Sequence, residues 1–161
     1  IDATQAQWTV IPYMGRTLSG IALMPYTVAT DNASLAYKFS LGQDKSITSR
    51  ITIHVVTKST LDSLDKGGLV YDVALDGGEP VSVNFNSNLN EKPENIYSIY
   101  SPTVASRVVE KTVELTLGEG DLHTLTSHPQ DPGIVFEKIV IDLGGYQRQF
   151  LFGKESPKTY K

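Results

Sequence analysis

Ser49-Arg50-Ile51-Thr52-Ile53-His54-Val55-Val56-Thr57 sets Ile51, Ile53 and Val55 two residues apart, with Thr52 and His54 between them. A period of two sends successive side chains to opposite faces, so this run is a β-strand with an apolar inner face and a polar outer one. Working outward, the same alternation recurs. Residues 33–40 alternate Leu35, Tyr37 and Phe39 with Ala36 and Lys38, and residues 69–75 put Leu69, Tyr71, Val73 and Leu75 on one side. Asp76-Gly77-Gly78 is turn chemistry, and alternation resumes over 80–85, so these two runs form a hairpin. Residues 7–13, with Trp8 and Val10 in phase, and 20–26 form another across Met14-Gly15-Arg16. Further strands are expected within 104–117, clearest after Lys111, and at 122–126, 134–143 and 149–152. Nine or ten short strands, with neither βαβ alternation nor heptads, predict an all-β fold. Its form is an antiparallel two-sheet β-sandwich of the jelly-roll or carbohydrate-binding-module type.

The composition agrees with one folded domain over 1–161: 161 residues, 40% hydrophobic and 20% charged. The formal net charge is −4, and the 14 Lys and Arg are scattered, so a nucleic-acid partner is not expected. No apolar run approaches the roughly 18 residues that span a bilayer, and no membrane association is expected. The chain has no Cys, which removes disulfides, thiolate metal sites and cysteine nucleophiles. Beginning without Met or a leader, it reads as a fragment or mature product.

Chemistry-bearing patterns are sparse. His54, His123 and His128 include no pair at helical metal-ligand spacing and read as solvated strand histidines. No Ser stands in a nucleophile elbow, and Gly77-Gly78, Gly118-x-Gly120 and Gly144-Gly145 read as turns rather than phosphate loops. No catalytic residue and no metal ligand is assigned. No cofactor is implied, and a structural calcium ion stays open although no loop carries Asp-x-Asp-x-Asp-Gly. An independent hydrolase would need a carboxylate pair that sequence alone does not bring together. Among the eight Tyr and one Trp, Trp8, Tyr37 and Tyr71 fall in phase with aliphatic neighbours and are assigned to the interior. Tyr97 and Tyr100 lie in the stretch 84–102, which carries five Asn and is read as a long surface excursion. They are the candidate sugar-stacking rings, with docking of the excursion onto the sandwich as the alternative.

The last third runs Gly120-Asp121-Leu122-His123-Thr124-Leu125, then His128-Pro129-Gln130-Asp131-Pro132-Gly133-Ile134-Val135, then Lys138-Ile139-Val140-Ile141-Asp142. It resembles the closing region of the C-terminal domain of glycoside hydrolase family 115, the xylan-directed α-glucuronidases. Phe152-Gly153-Lys154-Glu155-Ser156-Pro157 is similar to that family's terminus, and Trp8-x-Val10-Ile11 with Gly15-Arg16 to the domain's opening. The middle, from about Asp31 to Arg107, matches only in strand pattern.

This resemblance implies a non-catalytic accessory domain whose catalytic residues lie in upstream domains of the same polypeptide. Its expected role is packing on that catalytic domain or in a homodimer of the parent enzyme. The alternative is a module that recognises xylan or uronic-acid-bearing oligosaccharides. For that alternative the candidates are Tyr97 and Tyr100, together with Arg16, His128 and Asp131 lining a polar groove where Arg could hold a uronate carboxylate. The structural alternative for Asp131-Pro132-Gly133 is a tight turn in which Asp bonds its own following backbone. A periplasmic or extracellular location follows only from the presumed polysaccharide.

Overall fold

The computed structural model describes residues 6–16, 19–26, 30, 33–42, 50–149, 152–154 and 156–157. Nine strands among them form two antiparallel sheets. Strands β1 (Gln7–Ile11), β2 (Gly20–Met24), β4 (Arg50–Lys58), β7 (Val108–Thr116) and β9 (Val135–Asp142) make the larger sheet, in the order β1-β2-β9-β4-β7. Strands β3 (Leu35–Ser40), β5 (Val70–Leu75), β6 (Val81–Asn84) and β8 (Leu122–Pro129) make the smaller one, ordered β3-β8-β5-β6. The sandwich expectation holds, as do the hairpins β1–β2 and β5–β6. Of the expected closing strand at 149–152, Gln149 and Phe152 are not in a strand, and 150–151 fall outside the described residues.

Strand β4 shows how the core is made. It lies between β9 and β7, in register with β7 from Arg50↔Thr116 to Lys58↔Val108. Ile51, Ile53 and Val55 point inward and meet Tyr71, Val73 and Leu125 of the other sheet in one buried cluster. Burying each such side chain contributes about 1.5–3 kcal/mol. The ring of Tyr71 packs against Phe136 at 5.4 Å and Phe85 at 6.0 Å. Tyr37 departs from its expected interior place. It faces the core, but β3 is an edge strand, which leaves the residue 40% exposed.

The excursion after β6 is more ordered than its composition suggests. Its Asn side chains stand in for missing backbone partners. Asn86 is buried, with Oδ1 accepting the Leu69 N–H at 2.6 Å and Nδ2 donating to the Thr60 carbonyl at 2.9 Å. Asn95 donates to Asn90 at 3.0 Å. A π-helical turn, Ile96–Tyr100, then runs directly into α1 (Ser101–Ser106). Pro102 sits in the first turn, where a missing N–H costs nothing, and Arg107 ends the helix with φ of 63°. Strand β7 follows at once, starting at Val108, three residues ahead of the clear alternation.

Candidate functional site

The helical excursion borders two depressions, and Thr103 and Leu89 line both. Tyr100, Thr103 and Val104 join Leu61 and Leu89 around a small pocket of about 80 Å³. Ser98, Pro102 and Thr103 border a cleft of about 640 Å³ that runs to β7 and to the segment after β9. That second volume lies within the range of small-ligand sites. Arg16, Lys111 and Arg148 line it, alongside Asn88, Gln149 and, among the described residues, one carboxylate, Glu110.

Glu110 belongs to a polar layer on the outer face of the larger sheet, which the segment after β9 covers. His54 Nδ1 is 2.9 Å from Glu110 Oε1, and Arg148 Nε is 2.8 Å from Oε2. On the other side His54 Nε2 lies 3.5 Å from Asp142 Oδ2, too long for a strong hydrogen bond. The Tyr146 ring packs on the imidazole with centroids 4.4 Å apart. Asp142 also accepts the Gly144 N–H at 2.7 Å and that of Tyr146 at 3.3 Å, which turns the chain back over the sheet. The Gly144 bond leads in holding the Asp142 carboxyl below its ordinary range, and burial pushes the Tyr146 phenol up. Farther along, Phe152 packs with Val56 and Val108, and the Arg16 guanidinium carbon lies 5.6 Å from its ring centroid. The Arg16 N–H donates to Glu137 Oε2 at 2.7 Å, fixing the β1–β2 turn at the mouth of the cleft.

The sequence-derived candidates do not converge. Tyr97 is 82% exposed, whereas Tyr100 is half-buried and packs on the core, so the two rings form no flat pair. Arg16 lines the cleft. His128 is on the outer face of the smaller sheet, opposite Asp72, and hydrogen-bonds the Ala33 carbonyl. Asp131 is buried. Its carboxylate accepts from Lys66 Nζ at 2.6 Å and from the Val70 N–H at 2.7 Å, so it ties the β8–β9 turn to the 62–70 loop rather than to its own backbone. Two histidines were misplaced as solvated. His54 faces away from the core as expected but is covered by Tyr146, and His123 faces the core, bonded through Nδ1 to Asp76 at 2.8 Å. Lys111, Arg148 and Glu110 carried no local motif. Among the described residues no group of three or more His, Asp or Glu could hold a metal ion. No described helix is long and apolar enough to cross a membrane.

Comparison with known proteins gives a consistent picture. The family described as glycosyl hydrolase family 115 C-terminal domain matches residues 1–155. No curated protein matches the chain. Among solved structures, one similar chain is a family GH115 4-O-methyl-α-glucuronidase with specificity for decorated arabinogalactans. Identity is 14% and the TM-score 0.60 over 84% of this chain and 16% of that one. Another is a family 35 carbohydrate-binding module from Clostridium thermocellum, at 10% identity and a TM-score of 0.52 over 86% of this chain and 88% of that one. At such identities the likeness is one of fold. The present chain spans about one sixth of the glucuronidase.

Proposed function

The chain belongs to the glycosyl hydrolase family 115 C-terminal domains, and from that premise we propose that it is a non-catalytic accessory domain which packs against the rest of its parent enzyme or a second copy of it. One observation carries this reading. Leu61 and Val104, 58% and 54% exposed, flank the small pocket backed by Tyr100 and Leu89, and Tyr97 stands seven residues before Val104 in the same helical run. Large apolar side chains grouped on one surface favour burial against a partner surface. In this reading the whole 161-residue chain acts as one unit, the catalytic groups lie upstream in the same polypeptide, and the parent acts on a glucuronoxylan-type polysaccharide in the periplasm or outside the cell.

The test is made on the whole enzyme that carries this domain, with Leu61→Asp and Val104→Asp introduced together. Light scattering and thermal unfolding are compared with the unaltered enzyme. Loss of the native assembly state, or separation of a single unfolding transition into two, supports docking through this surface. An enzyme whose assembly, unfolding and activity are all unchanged overturns it.

A further inference from the structure

We infer that the free edge of β7 is a docking strip for an extended peptide, which adds to the larger sheet as a further strand and sets an acidic side chain beside Lys111. The strip is a different surface from the one that carries Leu61 and Val104, and one domain can use both.

Backbone direction is the first argument. β7 ends the order of the larger sheet, with β4 on one side only. The Ser59 N–H donates to the Arg107 carbonyl at 3.2 Å, one step before the Lys58↔Val108 pair. Hydrogen-bonded pairs alternate along an antiparallel ladder, so Val109, Lys111, Val113 and Leu115 turn their peptide groups toward β4 and the residues between them turn theirs outward. The Ser106 hydroxyl takes up the first outward carbonyl, that of Val108, at 3.0 Å. Beyond it, among the described residues, no hydrogen bond outside the sheet reaches the peptide groups of Glu110, Thr112 and Glu114. The cleft opens on this edge, because Val108, Val109, Glu110 and Lys111 all line it. Successive strand residues face opposite sides, so four in a row border one cleft where it runs along the strand's edge. Ile99 and Thr103 of the excursion and Arg148 and Gln149 of the segment after β9 border the same cleft, which makes it a slot beside the strand. Thr112 and Glu114 are exposed, so the open edge continues past the slot.

Side-chain phase is the second argument, and it sets the chemistry of the partner. On the core-facing side β7 runs Val109, Lys111, Val113 and Leu115, with Lys111 interrupting a buried apolar row. Lys111 makes no hydrogen bond or ion pair among the described residues. A charge on the inner side of an edge strand discourages indiscriminate pairing. Pairing β7 antiparallel with β7 of a second copy, inner sides together, sets Lys111 opposite Lys111 or an apolar neighbour and never opposite an acid, since Glu110 and Glu114 lie on the other side. A second copy is therefore the poorer occupant. On the free side Lys111 falls between hydrogen-bonded positions, where facing side chains come closest. Opposite charges directly across such a pair attract and like charges repel. The peptide that fits carries Asp or Glu across from Lys111 and apolar side chains two residues to either side, across from Val109 and Val113. Its main chain supplies affinity through the outward groups of Glu110, Thr112 and Glu114, and its alternate side chains supply specificity.

The experiment titrates the full 161-residue chain with short synthetic peptides and follows amide NMR shifts and hydrogen exchange. One peptide alternates Thr and Val about a central Glu, a second has Lys in place of that Glu, and a third is the Glu peptide N-methylated at the amides that would pair with β7. Saturable binding of the Glu peptide is expected, with slowed exchange at the Glu110, Thr112 and Glu114 amides and at least about threefold weaker binding of the Lys peptide. Lys111→Glu is expected to reverse that order. Lys111→Met, which keeps the aliphatic stem, is expected to abolish the preference and serves if the Glu variant loses its dispersed amide spectrum. Equal binding of the N-methylated peptide overturns strand addition, equal binding of the two charged peptides overturns the pairing with Lys111, and no saturable binding by about 10 mM overturns the strip altogether. The docking variants Leu61→Asp and Val104→Asp leave peptide binding intact, so the two readings fail separately.

Discussion

Nδ1 of His54 lies 2.9 Å from Oε1 of Glu110, diagonally across the β4–β7 pair, where the direct partners are Val56↔Glu110 and His54↔Thr112. An ionised carboxylate only accepts, so the imidazole must donate through Nδ1. The pair is roofed by Tyr146 and braced by Arg148, which makes it the fastening that holds the segment after β9 on the sheet. His54→Ala removes both the donor and the surface that Tyr146 covers. It is expected to destabilise the fold by about 2 kcal/mol, the scale of a hydrogen bond to a charged group. Urea unfolding measures it, and a loss within error of zero would mean that the segment is held without this contact.

Asp131 and Lys66 share a 2.6 Å ion pair, but their environments differ: the carboxylate is 7% exposed and the ammonium side chain 45%. The carboxylate also accepts the Val70 N–H. Asp131→Ala leaves the part-buried Val70 N–H unpaired at the start of β5, with an expected cost of about 1–3 kcal/mol. Lys66→Ala gives up only a half-solvated charge and is expected to cost under about 1 kcal/mol. Equal losses in the two variants would show that the ion pair, rather than the backbone bond, is what Asp131 supplies.

Asp76 sits at the β5–β6 turn with φ of 53° and reaches across to β8. Burial pushes its carboxyl up, but the Thr124 N–H, the His123 ring and the Gly118 N–H together outweigh that and hold it below its ordinary range. A depressed folded pKa gives stability that is present above the unfolded value of about 4 and is lost as pH falls through the lower folded value. Asp76→Asn should therefore lose most at pH 7, and its gap to the unaltered chain should close as pH falls below the ordinary carboxylate range and through the folded value. Urea unfolding across that range reads the gap, and a gap that does not close in acid would assign the loss to turn geometry instead of charge.

Period-two alternation located β4, β5 and the two hairpins because each has one face on the core and one away from it. What alternation does not say is what lies on the far face. His54 was read as solvated for that reason, yet the chain beyond Leu143, polar and aperiodic, lays Tyr146 and Phe152 over the sheet. His123 was misread differently: its phase matches Leu125, but a core histidine is tolerable only with a partner, and Asp76 is 47 residues away. The six-residue α1 is too short for a 3.6-residue period to show, although Ser101-Pro102 is a legible helix start. The cleft was beyond reach because residues 16, 111 and 148 share nothing in sequence and meet only through sheet order.

Glu137 falls at the irregularity in the β4–β9 ladder, where Val56 pairs with Lys138 and Thr57 with Phe136. Half-buried, its carboxyl is pushed up by desolvation, opposed by the Arg16 N–H and by the charges of Lys58 and Arg16. Oε2 accepts the Arg16 N–H, while Oε1 is buried without a hydrogen-bond partner. A raised folded pKa means that the folded chain holds this proton more tightly than the unfolded chain. The stability it gives is full below the ordinary value of about 4.3 and is lost as pH rises through the folded value. Glu137→Gln keeps an acceptor for the Arg16 N–H and removes the desolvated charge. The variant is therefore expected to be at least as stable as the unaltered chain at pH 7 and equal to it at about pH 3. Urea unfolding at both pH values checks this. A Gln variant that is weaker at pH 7 would show that attraction to Lys58 and Arg16 outweighs burial, making Glu137 an electrostatic anchor of the turn that brings Arg16 to the cleft.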